Sequence, residues 1–143
     1  MAFDVTSAIN ALQDTWLGIT GIRFAPDTPP DALGAFPFVV TYERSGELNP
    51  SEMHSGNFAP QKGQIWSDLH MARKDLPRDI AKVMTFRNLF LDALRDDPNL
   101  SGYVMMCTRV SWTLTPMVYN GVDTIGYRFV LEFDTKRMCF MRR

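Results

Sequence analysis

The dipeptide Asn120–Gly121 stands between two alternating runs of residues, and this arrangement leaves the C-terminal third of the chain little choice of fold. Both residues tolerate the positive φ of a tight hairpin turn. After the turn, Ile125, Tyr127, Phe129, Leu131 and Phe133 fall on every second position. Before it, Val104, Met106, Val110, Trp112 and Leu114 share a face. A period of two puts each apolar set on one side of a strand. The reading is an antiparallel hairpin, with Trp112 and Phe129 as core packing. Met105 and Met117 fall on the opposite side. Exposed there, they would mark an interface; the other reading is a second sheet face that is partly covered.

A second hairpin lies upstream. In FVVTYE, Phe38, Val40 and Tyr42 alternate with Val39, Thr41 and Glu43, so one face is apolar. In QIWSDLHMA, Ile65, Leu69 and Met71 share one face, broken by Ser67. Trp66, Asp68, His70 and Ala72 share the other. Between the two runs, about 45–63, come Gly46, Pro50, Gly56, Pro60 and Gly63 among Ser and Asn. That is loop composition. A loop of this length in a small domain is usually functional or disordered. The expectation is a long hairpin arm.

Two amphipathic helices complete the pattern. Val5, Ala8, Ile9, Leu12, Trp16 and Ile19 recur at spacings of three and four, with Asp4 or Thr6 as cap. The second helix opens at Pro77, where a missing N–H costs nothing, and Asp79 opposes its dipole. It carries Ile80, Val83, Met84, Leu91 and Leu94 on one face and stops before Pro98. Asp92, Asp96 and Asp97 read as its solvated end. Pro26, Pro29, Pro30 and Pro37 make the stretch after the first helix a rigid surface connection. The expected architecture is α+β: an antiparallel four-stranded sheet covered by two helices in a two-layer sandwich, one domain over 1–143.

Charge and composition narrow the function classes. Net charge is −1, which gives the whole chain no electrostatic reason to bind nucleic acid or acidic membranes. No window approaches the roughly 18 apolar residues of a membrane span. The N-terminus lacks the basic region of a signal peptide, so assembly in a cytoplasm is expected. Cys107 and Cys139 have no metal-ligand spacing and read as reduced thiols.

Catalytic signatures are missing from the sequence. His54 and His70 stand sixteen residues apart and are expected to be ordinary surface histidines. Ser67, Asp68 and His70 mimic a triad, yet on a strand Ser67 points away from the other two. There is no GxSxG, SxxK, Walker or GxGxxG motif. No cofactor, no metal and no enzyme activity are expected. The terminal KRMCFMRR, 136–143, holds four basic residues among Met138, Phe140 and Met141, as a frayed tail or an arm that folds over a neighbour.

The layout resembles the tail terminator, or tail completion, proteins of long-tailed bacteriophages. The opening helix ending LGITGIRF carries the resemblance first, followed by PDTPPDALGAFPFVVTYE and the hairpin arm. KDLPRDIAKVMTFRNLFLDALRDDPNLSGYV is its most characteristic passage, and YNGVDTIGYRFVLEF completes it. The resemblance spans nearly the whole chain and contains no catalytic signature. It implies a virion structural protein, assembled in the host cytoplasm, that forms a homo-oligomeric, hexameric ring on the head-proximal end of the tail. The ring would stop polymerisation of the tail tube protein and dock the neck or head-completion protein. DNA would pass through its lumen without specific binding, with Glu47, Glu52 and Asp68 facing it. No membrane is involved. Each ring subunit needs two different complementary surfaces. On this reading Glu52, His54, Phe58, Gln61 and Trp66 in the arm and its return strand contact a neighbouring subunit or the tube. Met138, Phe140 and Arg142 do so from the tail.

Three other readings compete. One is another neck, head-completion or tail-tube structural protein. A second is a small metal-dependent hydrolase using Glu52, His54, Asp68 and His70. The third is a ligand-binding module with its pocket between sheet and helices, a space that Phe86, Phe90, Trp112 and Phe129 are large enough to fill.

Overall fold

The computed structural model describes residues 4–31, 34–48, 61–96 and 107–134. Its elements are α1 (Val5–Leu17), β1 (Phe38–Leu48), β2 (Gln61–Ala72), α2 (Leu76–Asp96), β3 (Cys107–Tyr119) and β4 (Val122–Asp134). The strands form one antiparallel sheet in the order β1-β2-β4-β3. This is the α+β sandwich expected from the hairpins and helices.

The helices begin where polar side chains satisfy free amides. Asp4 caps α1, its Oδ1 accepting from the Thr6 N–H at 3.0 Å. At α2 the buried Asp79 reaches back, and its Oδ2 accepts from the amides of Lys74 and Asp75 at 3.0 and 2.9 Å. Asp79 therefore fixes the turn into α2 as well as opposing its dipole. Asp92 and Asp96 are exposed at the other end, where Asp92 pairs with Arg95.

Strand register sorts the side chains. Val39, Thr41, Ile65, Ser67, Leu69, Tyr127, Phe129 and Leu131 face the helices. The core centres on three rings: Trp16 stacks on Phe90 at 3.9 Å, and Phe129 meets both edge-on. These rings fill the space where a ligand pocket was one reading. Four polar groups cross the interior together. Trp16 Nε1 donates to Ser67 Oγ, which is 2.8 Å from Thr41 Oγ1, and Thr41 donates to Gln13 Oε1. Gln13 Nε2 then donates to the carbonyls of Pro26 and Val39. Burial without these partners would cost more than the bonds return, so the network fixes α1 against β1 and β2.

Several sequence expectations need correction. Trp112 lies opposite Phe129 on the helix-facing side, as its alternation requires, yet it is 39 % exposed. The reason is lateral: α1 packs on β1, and α2 packs on β2 and β4, so β3 lies beyond the helix layer. The arm is shorter as a loop than its composition suggests, because 45–48 and 61–63 are paired strand. Gly63 permits this, since a Cβ there would sit 2.3 Å from the Ser45 carbonyl oxygen. Met117 is buried, and so is His70 at 2 % exposure, against the expectation of a surface histidine.

Their burial reflects a partly covered second sheet face. The proline-rich connection does more than cross the surface. Val39 donates to the Phe24 carbonyl at 2.8 Å, Phe24 stacks on Phe38, and the Tyr119 hydroxyl donates to the Pro30 carbonyl. The connection thus ties β1 to the far end of β3, over the end of the face holding Phe38, His70, Met117 and Thr124. The apolar set Phe38, Val40 and Tyr42 belongs to this second face, not to the helix-covered one.

Candidate functional site on the open sheet face

Beyond that cover, the second face opens around Trp66. Tyr42 and Trp66 are direct cross-strand partners, as are Asp68 and Arg128. Arg128 donates from Nε to Asp68 Oδ1 at 2.9 Å and from Nη2 to Oδ2 at 3.2 Å. The Tyr42 hydroxyl donates to the same Oδ2 at 3.3 Å. The guanidinium of Arg128 also lies 4.5 Å from the Trp66 ring centre, and that of Arg44 lies 5.1 Å from it. Each contact contributes about 0.5–1 kcal/mol at a partly exposed site.

Local backbone explains how Arg44 gets there. The β1–β2 register shifts between Glu43 and Ser45, a bulge that adds one residue to β1. Alternation already puts Arg44 on the face of Tyr42 and Trp66; the extra residue sets Ser45 and Glu47 on that face as well and returns Leu48 to the helix-facing side. Trp66 Nε1 meanwhile donates to Gln64 Oε1 at 3.2 Å. The result is a cluster of one indole, one phenol tilted 53° to it and two guanidinium groups.

Its electrostatics follow from the pairing. The hydrogen bond to Asp68 is the main cause holding the Arg128 pKa above its ordinary value. Burial, then the Asp68 charge, pushes the Tyr42 phenol up. Asp68 is itself 4 % exposed. It is buried and bonded to Arg128 and Tyr42, against the expectation that it faces a lumen.

The sheet does not bring Ser67, Asp68 and His70 together as a triad. His70 Nδ1 lies 2.8 Å from Thr124 Oγ1, and burial lowers its pKa, more than the Asp68 charge raises it. Ser67 Oγ points to the helix side, bonded to Trp16 and Thr41. Among the described residues no group of three or more His, Cys, Asp or Glu could hold a metal ion. Of the proposed hydrolase quartet, Glu52 and His54 lie outside the described residues.

Among the expected interface residues, Trp66 stands at the cluster's centre. Gln61 is half-buried at the start of β2, opposite Leu48. Glu52, His54, Phe58, Met138, Phe140 and Arg142 lie outside the described residues. Tyr42, Arg44 and Arg128 escaped the sequence reading. An Arg on the opposite face of the most regular alternation in the chain was the available signal, but only the β2–β4 register sets it against Asp68.

Past the cluster, residues 43–48 of β1 form the outer ribbon of the sheet, paired with β2, which stays paired with β4 as far as Lys62 and Asp134. Residues 43–48 are all exposed, and Lys62 meets Glu47 across the pair at 3.0 Å. An open depression of about 410 Å³ lies at its base, lined by Ser45, Gly46, Lys62, Gln64, Glu132 and Asp134 among others. No helix among the described residues is long and apolar enough to cross a membrane. Compared with protein-family models and with curated proteins, the chain matches none.

Proposed function

We propose that this chain is a structural assembly protein of a long-tailed bacteriophage, the terminator that forms a ring on the head-proximal end of the tail tube. The observation that carries the reading is the outer ribbon of β1, whose residues 43–48 are exposed along the edge of the sheet with no outer neighbour among the described residues. An exposed edge strand is a template for pairing with another chain. The Trp66 cluster adds a surface of aromatic and arginine side chains, the types enriched where proteins meet.

On this reading a homohexameric ring stops growth of the tube and docks the neck or head-completion protein. DNA passes through without specific binding. The protein's place is in the virion.

The test is electron microscopy of particles made with the gene inactivated. Tails of uncontrolled length, unjoined to filled heads, are the expected outcome. Complete particles with tails of normal length would overturn the reading.

A further inference from the structure

The sheet has two outer strands, and the fold treats them differently. Along β1 the outer edge is occupied at Val39, whose amide donates to Phe24, whereas the ribbon 43–48 has no outer neighbour among the described residues. Along β3 the only strand partner among the described residues is β4. Open edges of this kind are templates for pairing with another chain.

Side chains make the β3 edge more specific. Because α2 stops short of β3, its flank and the strand form a step. Trp112 and Leu114, 39 % and 37 % exposed, are the floor. Ile80, Met84, Arg87 and Leu91 recur at spacings of four, three and four along the flank, and Met84 is 49 % exposed. The Arg87 guanidinium lies 4.8 Å from the Trp112 ring centre and has no carboxylate partner among the described residues. The step therefore wants an apolar side chain and a carboxylate.

The β1 ribbon carries both on the matching face. Register puts Glu43 opposite Ile65 and Leu48 opposite Gln61, so both belong to the helix-facing side of the sheet, the side of the step. Leu48 is 52 % exposed. Glu43 is exposed and forms no ion pair among the described residues. Direction agrees as well. β1 and β3 run oppositely within one sheet, so a head-to-tail repeat brings β3 against the next copy's β1 antiparallel. A two-fold pairing of step against step would instead set Arg87 against its own copy.

We propose that the step formed by α2 and β3 is the docking site for the β1 ribbon of a second copy, with Glu43 meeting Arg87 and Leu48 covering Trp112 and Leu114. The choice of a second copy rests on the ring reading above. The contact is heterologous, so each copy gives a ribbon at one edge and receives one at the other.

The experiment pairs sedimentation with cross-linking. Glu43→Arg and Arg87→Glu are each expected to weaken self-association about tenfold, as loss of a partly exposed cross-interface charge pair does. Combining both in one chain is expected to restore it. Two further variants, Leu48→Cys and Leu114→Cys, each in a Cys107→Ser, Cys139→Ser background, are mixed and oxidised. Within one copy these positions lie three strand spacings apart across the sheet and eight register steps apart along it, roughly 30 Å, too far for a disulfide. A cross-linked heterodimer in the mixture, and not in either variant alone, is the expected result. Oligomers that form at wild-type strength in both charge variants, without cross-links, would overturn this contact and leave the ring standing. A wild-type chain monomeric to about 1 mM would overturn it too. The ring itself is judged by the particle phenotype.

Discussion

Arg128 holds Asp68 through two hydrogen bonds while its guanidinium lies 4.5 Å from the Trp66 ring centre, on the side of the sheet opposite α1 and α2. The two partners are unequal. The Asp68 side chain is 6 % exposed and that of Arg128 is 35 % exposed. Removing either one therefore has different consequences. Arg128→Met strands a buried carboxylate and is expected to cost about 3 kcal/mol. Asp68→Asn leaves a guanidinium that can turn to water and is expected to cost about 1 kcal/mol. Urea unfolding of both variants measures the asymmetry; equal losses would show that burial of Asp68 does not govern the pair.

His70 gives stability a pH dependence. Burial holds its folded pKa below the ordinary 6.5, so the unfolded chain takes up this proton first. Its contribution is complete above about pH 6.5 and is lost as pH falls below that toward the depressed folded value. The limiting slope for one proton is about 1.4 kcal/mol per pH unit. Thermal or urea unfolding between pH 7 and 5 should show the decline, and His70→Phe should flatten it. An unchanged slope in that variant would assign the dependence to other groups.

Gln13 is the hub of the buried polar network, with bonds to Pro26, Val39 and Thr41. Gln13→Leu keeps the volume but strands two carbonyls and leaves the Thr41 hydroxyl with Ser67 alone. The expected loss is about 2–4 kcal/mol. A loss under about 1 kcal/mol, measured by urea unfolding, would mean that water enters and replaces the amide.

Gly126 sits where β4 runs tightly beside β2, and a Cβ there would lie 1.7 Å from the Leu69 carbonyl oxygen. The strands must part to admit it. Gly126→Ala is expected to cost about 3 kcal/mol or more. Gly121→Asn is the control, since its φ of 81° is within reach of Asn and nothing lies within 4 Å of its Cβ. That variant should unfold within about 1 kcal/mol of wild type.

Much of the fold could be read locally. The turn at Asn120–Gly121 has the positive φ values, 49° and 81°, that its residue types suggest. Asp4 caps α1, and Asp79 serves the start of α2. Alternation put Phe129 and Trp112 on one face correctly. It could not tell that only Phe129 would be covered, because cover depends on where α2 lies across the sheet. The same limit applies to His70: a strand pattern assigns it a face, and a distant connection buries that face.

Sequence by itself determined the elements, because turn chemistry, capping and hydrophobic period act over a few residues. It determined the class of sandwich for the same reason. Tertiary structure decided which apolar residues stay exposed, that the proline-rich connection covers part of the second face, and that Asp68, Arg128, Trp66 and Arg44 form one cluster. Those outcomes depend on strand order and register, which bring residues sixty positions apart within hydrogen-bonding distance. No local pattern encodes that distance.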